Sequence, residues 1–351
     1  MKKNGLFVVL SILLLGIFLT SCSGATTTTS WGGVSASDSA AYFTNTTEIT
    51  AVNADSGTLI WSYPEKAAAS RLFYAAPAVA GDQLIVGDYT GAVVALGIKD
   101  GKELWKFADA KGHFVDSPLV VNDLIIAPNS DANVYALDMD GKLVWKYSGT
   151  HAFWATPVSD GTNVYVTSLD HNVYALDLKT GNTVWSADLG SPVVGSPLLT
   201  EDGTLYVGTL DNSMYALKAS DGSQIWKQTV GGGVWSQPVL TDGNLYFGDA
   251  SGKINILAAT DGKIVQSVDM SSAILGNGVL VGDHLVFGDE AGDVIYLGKD
   301  GSRIATPSVS GSIYSNLTFA NGHLYVLSTK GDKPLYAFDE NGAQVWSYSS
   351  K

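Results

Sequence analysis

Residues 134–145 read Val134-Tyr135-Ala136-Leu137-Asp138-Met139-Asp140-Gly141-Lys142-Leu143-Val144-Trp145, and residues 173–185 repeat this pattern with one insertion. A glycine followed four positions later by tryptophan recurs at Gly57/Trp61, Gly101/Trp105, Gly141/Trp145, Gly181/Trp185, Gly222/Trp226 and Gly342/Trp346. Two further copies keep the glycine and lose the ring, at Gly262/Gln266 and Gly301/Ala305. Subtracting successive glycine positions gives steps of 44, 40, 40, 41, 40, 39 and 41 residues. A fixed period near forty predicts a β-propeller.

Each repeat carries four strand signals. In the fourth repeat, residues 154–158, 164–167, 173–177 and 183–186 alternate apolar and polar side chains between turns of Gly, Asp and Asn, which is typical of antiparallel strands. No segment shows a helical period. We therefore predict an all-β chain, a single eight-bladed propeller of four-stranded antiparallel blades over residues 31–351. At the ring closure, each terminus completes its own blade or the termini exchange one strand.

The repeated tryptophan falls on the outermost strand of each blade. A ring at this place is expected to wedge between adjacent blades and bury about 150–250 Å². We therefore predict structural roles for Trp61, Trp105, Trp145, Trp185, Trp226 and Trp346. Gln266 and Ala305 mark blades six and seven as the weaker interfaces.

The N-terminus has the features of a secretory signal. Met1-Lys2-Lys3 precedes a 15-residue apolar run from Leu6 to Thr20, which is shorter than the ~20 residues of a membrane span. The exit Leu19-Thr20-Ser21-Cys22 resembles the bacterial lipobox, and Cys22 is the chain's only cysteine. An ordinary cleaved signal is the alternative.

The lipobox resemblance implies a signal peptide at residues 1–21, lipidation of Cys22 and a flexible threonine-rich tether at residues 22–30. The protein is then expected outside the cytoplasm, anchored to a membrane by lipid. Because Ser23 rather than aspartate follows the cysteine, the anchor is expected in the outer membrane where the cell has two membranes.

The charge balance restricts the partners. The formal net charge is −14, and removal of Lys2 and Lys3 with the signal leaves 18 basic against 34 acidic residues, or −16. An acidic surface repels nucleic acid, so nucleic-acid binding is not expected.

The repeats resemble those of the PQQ-type-repeat β-propeller proteins, in which a Tyr-x-Leu-Asp strand, a glycine turn and a tryptophan form the blade signature. That family includes the quinoprotein alcohol dehydrogenases and the BamB-like lipoproteins of the outer-membrane β-barrel assembly machinery. The lipobox, the tether and the single bare ring favour the BamB-like members. This resemblance implies a scaffold that binds protein partners in an envelope complex, without cofactor or catalysis.

Catalytic signatures are not found in the sequence. The quinone-dependent members commonly carry adjacent cysteines and large insertions, whereas Cys22 is the single cysteine here. The five histidines form no spaced metal motif, and no nucleophile elbow or phosphate loop occurs. We predict no catalytic residue, no cofactor and no metal site.

The segments that lead into the blades differ from the turns because they carry aromatic side chains. Aligned on Pro77, Pro118, Pro157, Pro197 and Pro238, the position three residues earlier reads Tyr74, Val115, Trp154, Val194 and Trp235, and the matching residues of blades seven and eight are Leu275 and Tyr314. These segments are expected to meet at the mouth of the central channel. The candidate binding face comprises Arg71, Tyr74, His113, Asp116, His151, Trp154, Trp235 and Tyr314. Phe73, Phe114 and Phe153 either belong to this mouth or fill the narrow channel end as core.

Three functions are compatible with the sequence. The first is a non-catalytic, membrane-tethered protein-binding scaffold of the cell envelope, in outer-membrane protein assembly, built from a monomeric propeller. The second is a receptor for a small ligand or glycan that stacks on Trp154 and Trp235. The third is a quinone-dependent dehydrogenase, which would require a bound chromophore or turnover.

Overall fold

The computed structural model describes residues 32–66, 71–270 and 272–349. Within these ranges, 32 strands form eight four-stranded antiparallel sheets, and each sheet consists of four consecutive strands. This confirms the predicted all-β, eight-bladed propeller. In the same ranges there is no helix with the length and apolarity of a membrane span. The predicted signal peptide, Cys22 and the tether lie outside the described residues.

The first four blades follow one another along the chain. Blade one contains β1 (Val34–Ala36), β2 (Ala40–Asn45), β3 (Glu48–Asn53) and β4 (Leu59–Tyr63). Blade two contains β5 (Ala78–Ala80), β6 (Gln83–Gly87), β7 (Val93–Gly97) and β8 (Glu103–Phe107). Blade three contains β9 (Leu119–Val121), β10 (Leu124–Pro128), β11 (Asn133–Asp138) and β12 (Leu143–Ser148). Blade four contains β13 (Val158–Ser159), β14 (Asn163–Thr167), β15 (Asn172–Asp177) and β16 (Thr183–Asp188).

The last four blades repeat the same order. Blade five contains β17 (Leu198–Leu199), β18 (Thr204–Thr209), β19 (Ser213–Lys218) and β20 (Gln224–Thr229). Blade six contains β21 (Val239–Thr241), β22 (Asn244–Gly248), β23 (Lys253–Ala258) and β24 (Ile264–Asp269). Blade seven contains β25 (Val279–Val281), β26 (His284–Gly288), β27 (Val294–Leu297) and β28 (Arg303–Ala305). Blade eight contains β29 (Thr318–Ala320), β30 (His323–Leu327), β31 (Leu335–Phe338) and β32 (Gln344–Tyr348).

The core lies between blades rather than at one centre. The second and third strands of each blade are buried on both faces because every sheet is covered by its two neighbours. Between blades two and three, for example, Ile85 and Val93 pack in one cluster with Ile125 and Leu137. Burial on both faces explains why these strands carry continuous apolar runs instead of a strict alternation.

The outermost strand of every blade contains a bulge. In blade three, Ala136 pairs with Trp145 while the next residue, Leu137, pairs with Leu143, so Val144 is the extra residue. The same shift occurs in the corresponding pairing of the other seven blades. A bulge bends the strand and redirects its side chains. Leu143 and Val144 therefore both face solvent, whereas Trp145 is only 8% exposed.

Each repeated tryptophan contacts the turn glycine of the next blade, not the glycine of its own repeat. A Cβ placed on Gly141 would lie 2.3 Å from Cε3 of Trp105, and that glycine has φ +78°. The indole Nε1 of Trp105 donates to the carbonyl of Met139 at 2.8 Å, in the same turn. The other five donate in the same way: Trp61 to Ile98, Trp145 to Leu178, Trp185 to Ala219, Trp226 to Ala259 and Trp346 to Ala54. The recurring glycine is thus explained twice, by its positive φ and by the ring above it.

Two interfaces lack this tryptophan. Between blades six and seven, Gln266 covers Gly301, and Tyr246 donates its hydroxyl to the Lys299 carbonyl at 2.9 Å. Between blades seven and eight, Tyr296 donates to the Asp339 carbonyl at 3.2 Å. The same tyrosine contact accompanies the indole bond elsewhere, since Tyr165 and Tyr206 donate to the carbonyls of Ala219 and Ala259. The interfaces without tryptophan therefore keep the tyrosine hydrogen bond and lack only the indole one.

The ring closes without strand exchange, since blades one and eight each use their own consecutive strands. Hydrogen bonds between described residues join these blades. Thr318 Oγ1 donates to the Val34 carbonyl at 2.7 Å, Asn321 Nδ2 to the Ser37 carbonyl at 2.5 Å, and Trp346 Nε1 to the Ala54 carbonyl at 2.9 Å. The same kind of tryptophan contact that joins consecutive blades also seals the ring.

Candidate binding site at the axial mouth

The segment that enters each blade divides its side chains between core and channel. In each entry segment from blade two onward, the residue four positions before the aligned proline, or before its equivalent in blades seven and eight, is buried. These residues are Phe73, Phe114, Phe153, Val193, Val234, Ile274 and Ile313. The next residue is half-buried and faces the axial cavity: Tyr74, Val115, Trp154, Val194, Trp235, Leu275 and Tyr314. Extended backbone places neighbouring side chains on opposite sides. Phe73, Phe114 and Phe153 therefore belong to the core.

The axial cavity has a volume of about 690 Å³. Six of the eight residues of the predicted binding face line it: Tyr74, His113, Asp116, Trp154, Trp235 and Tyr314. They come from several blades and are brought together by closure of the ring. The volume lies within the range of about 300–1,000 Å³ common for ligand sites.

Tyr89 lines the cavity as well, and the proline alignment did not identify it. Its ring centroid lies 4.1 Å from that of Tyr74 and 4.6 Å from that of His113, which is stacked on it at 8°. Burial, with the neighbouring Tyr74, raises the pKa of Tyr89 to about 12, so its hydroxyl is neutral at physiological pH. His113 Nδ1 contacts the Tyr89 carbonyl and, because a carbonyl only accepts, must carry the hydrogen.

Asp116 supplies the carboxyl group of the cavity. Its Oδ1 accepts the backbone N–H of Ser117 at 2.7 Å, and its Oδ2 accepts that of Thr156, in the next blade, at 3.2 Å. Although one side of the residue meets the cavity, protein encloses the carboxyl, and burial raises its pKa above the usual value despite these hydrogen bonds. Desolvation opposes the charged form of an acid. A positive group in the cavity would stabilise it.

Trp154 has a polar atom that packing does not explain. Its Nε1 is buried and has no hydrogen-bond partner among the described residues. An unsatisfied buried donor costs about 1–3 kcal/mol, a cost that an apolar side chain of similar size would avoid. Filling of the channel therefore does not account for tryptophan at this position.

Two residues of the predicted face lie outside the cavity lining. Arg71 pairs with Asp88, with Nε to Oδ2 at 2.7 Å, and donates from Nη1 to the Tyr63 hydroxyl at 2.7 Å. Its guanidinium also lies over the rings of Tyr63 and Phe73. His151 is exposed beside Thr150, 3.3 Å from its hydroxyl. Arg71 is thus held in contacts between blades one and two.

The cavity does not fit the anionic quinone of the PQQ-type dehydrogenases. The described lining residues include no lysine or arginine, so carboxylate groups of such a quinone would have no cationic partner and would face Asp116. Among the described residues, no group of three or more His, Cys, Asp or Glu side chains is placed to hold a metal ion.

Comparisons with known proteins agree with this architecture. A family model described as "Outer membrane protein assembly factor BamB" matches residues 45–153, 150–267 and 250–351. The protein of that name from Shigella dysenteriae serotype 1 is 30% identical over 138 residues, 35% of this chain and 34% of the relative. The crystal structure of BamB from Moraxella catarrhalis superposes with a TM-score of 0.75 at 18% identity, covering 84% of this chain and 92% of that one.

The chain also has a shorter match to a protein that is named as an enzyme. The "Putative dehydrogenase XoxF" of Paracoccus denitrificans is 30% identical over 118 residues, 29% of this chain and 19% of the relative. The chain thus aligns with about a third of the curated BamB and a fifth of XoxF. The blade repeat is shared by both, and it specifies the fold rather than the activity.

Proposed function

Because the chain belongs to the family of the outer membrane protein assembly factor BamB, we propose that it is a non-catalytic scaffold that holds protein partners in outer-membrane protein assembly. The observation that carries the proposal is the family match, which extends over nearly the whole propeller. Because a ring of eight blades is rigid, it loses little conformational entropy when a partner binds. The protein acts by binding.

The partner-binding face in this proposal is the axial mouth. At the rim, which consists of the fourth strands and the glycine turns they contact, the same tryptophan contact recurs from blade to blade. The seven aligned mouth positions instead hold four different residue types in an irregular order. Half-buried aromatic residues such as Trp154 and Trp235 are the kind that dominate binding energy in protein interfaces. A partner that contacts the mouth meets one asymmetric surface and can dock in one orientation.

The proposal also includes a lipid anchor at Cys22 that keeps the propeller on the periplasmic side of the outer membrane. Two or more acyl chains hold a protein stably, since each buried methylene contributes about 0.8 kcal/mol. Metabolic labelling with an alkyne fatty acid should mark the wild-type chain and fail to mark Cys22→Ser. Fractionation should then find the variant outside the outer membrane. Labelling of both chains equally would refute the anchor.

The test of the scaffold role is crosslinking in the native membrane. The lipidated protein is crosslinked in intact cells, purified under denaturing conditions and analysed by mass spectrometry. We expect recovery of the outer-membrane assembly barrel and its companion lipoproteins, above the level from cells expressing an unrelated lipoprotein. Absence of a specific protein partner would contradict the scaffold role.

A further inference from the structure

The axial cavity combines aromatic faces with one enclosed carboxylate. Tyr74, Trp154, Trp235 and Tyr314 contribute rings from four blades, and Asp116 contributes the charge. No lysine or arginine is among the described lining residues. We propose that this cavity binds an organic ammonium cation.

The aromatic lining suits a cation. The faces of tryptophan and tyrosine rings carry partial negative charge and attract an ammonium group, more strongly when the pair is shielded from water. The rings of Tyr74, Tyr89 and His113 are already held together by their mutual contacts. Binding therefore requires little ordering of that wall.

The wall offers hydrogen-bond acceptors on Asp116 and His113 beside the indole donor of Trp154. The two oxygens of Asp116 accept backbone N–H groups and retain further lone pairs. With its hydrogen on Nδ1, a neutral His113 has its acceptor at Nε2. These acceptors suit the N–H groups of an ammonium ion or the positive charge of a quaternary one.

Charge discriminates between classes of ligand. An ionised carboxylate enclosed by protein is costly unless it is paired, and a bound cation supplies the pair. The net charge of −14 also draws cations toward the mouth and repels anions. A neutral saccharide would stack on the same rings and leave Asp116 without a counter-charge.

The test compares choline with its uncharged isostere, 3,3-dimethylbutan-1-ol, and with maltose. Isothermal titration calorimetry uses the full lipidated protein in a polyoxyethylene detergent, which has neither a charged nor a sugar headgroup. We expect choline to bind at least about tenfold more tightly than the isostere. Equal affinities, or tighter binding of maltose than of choline, would overturn the proposal.

Variants locate the site. Asp116→Asn should remove the preference for choline over the isostere, whereas Asp188→Asn should retain it. Asp188 is an exposed carboxylate outside the cavity lining, so this control makes the same change in net charge. Thermal unfolding checks that each variant is folded. Should Asp116→Asn fail to fold, the wild-type ratio of choline to isostere affinity still decides. Retention of the preference in a folded Asp116→Asn would place the cation elsewhere.

The same cationic chemistry is found on free quaternary amines and on the lysine side chains of proteins. Titration with N-acetyl-lysine amide distinguishes them. Tighter binding of choline assigns the cavity to a free ammonium compound, and tighter binding of the lysine derivative assigns it to a partner's side chain. Either order supports a cation site, provided that the uncharged isostere binds more weakly than both.

Discussion

The rim and the mouth of this propeller are built from the same eight repeats, but the rim repeats one contact whereas the mouth varies its residues. At the rim, one contact recurs: a tryptophan covers the turn glycine of the next blade and donates to a carbonyl in the same turn. At the mouth, equivalent positions hold tyrosine, valine, tryptophan or leucine. Every rim contact joins a separate pair of blades and solves the same packing problem. The mouth residues share one cavity, so each can differ without disturbing a neighbouring interface.

The largest effect should come from loss of a rim tryptophan. Trp145→Ala removes a ring that is 8% exposed together with its hydrogen bond to Leu178, and should lower the free energy of unfolding by about 3–5 kcal/mol. Trp235→Ala, at the half-buried mouth, should cost clearly less. Urea unfolding followed by fluorescence measures both. Equal losses would contradict the division between rim and mouth.

A pair of glycines separates backbone strain from contact with the ring. Gly141 and Gly203 both have φ +78°, but a Cβ on Gly141 meets Trp105 while a Cβ on Gly203 meets nothing within 4 Å. Gly203→Ala should cost about 1–2 kcal/mol from the left-handed backbone alone. Gly141→Ala should cost about 1–3 kcal/mol more because of the overlap. Comparable unfolding free energies would show that the ring moves away freely.

Asp116 should give the mouth a pH dependence opposite in sign to that of the rim turns, where a hydrogen bond from Thr180 lowers the pKa of Asp177. Burial raises the pKa of Asp116 above its ordinary value, so the folded state binds more protons than the unfolded state between the two pKa values. Stability from this group is therefore lost as the pH rises through that window. The free energy of unfolding of Asp116→Asn, relative to that of the wild type, should therefore increase as the pH rises from 3 to 7. A constant difference would contradict a raised pKa.

The smallest effect is expected where the rim has already lost its tryptophan. Gln266 is exposed and covers Gly301 only with its amide group, while Tyr246 keeps the hydrogen bond to Lys299. Gln266→Ala should therefore change the free energy of unfolding by no more than about 0.5 kcal/mol. A loss near that of Trp145→Ala would mean that glutamine replaces the indole fully.

The period of the repeat predicts the number of blades, the strand order and the outer position of the tryptophans. It does not predict that Trp105 meets Gly141 rather than Gly101, because which blade a ring contacts is a tertiary property. The bulge is visible in retrospect as one exposed apolar residue directly before each of the six rings: Ile60, Leu104, Val144, Val184, Ile225 and Val345.

The mouth was predicted from the alignment on proline, and its charge relations were not. Arg71 is one residue from Leu72 and three from Tyr74 in sequence, yet it pairs with Asp88 instead of lining the cavity. Tyr89 enters the cavity from the turn after β6, which no alignment of the entry segments includes. The enclosure of Asp116 depends on contacts with the next blade, and a carboxyl in a loop gives no sign of that in the sequence.

The most direct test of the central claim compares partner capture by two double variants in the native membrane. Trp154→Ala/Trp235→Ala alters the mouth, and Leu143→Ala/Val144→Ala alters exposed apolar residues of the outer edge. Both are crosslinked in cells, checked for folding by thermal unfolding, and quantified against wild type for recovery of the outer-membrane assembly barrel. Our account predicts that the mouth variant loses the barrel and the edge variant retains it. Retention by the mouth variant with loss by the edge variant would contradict it.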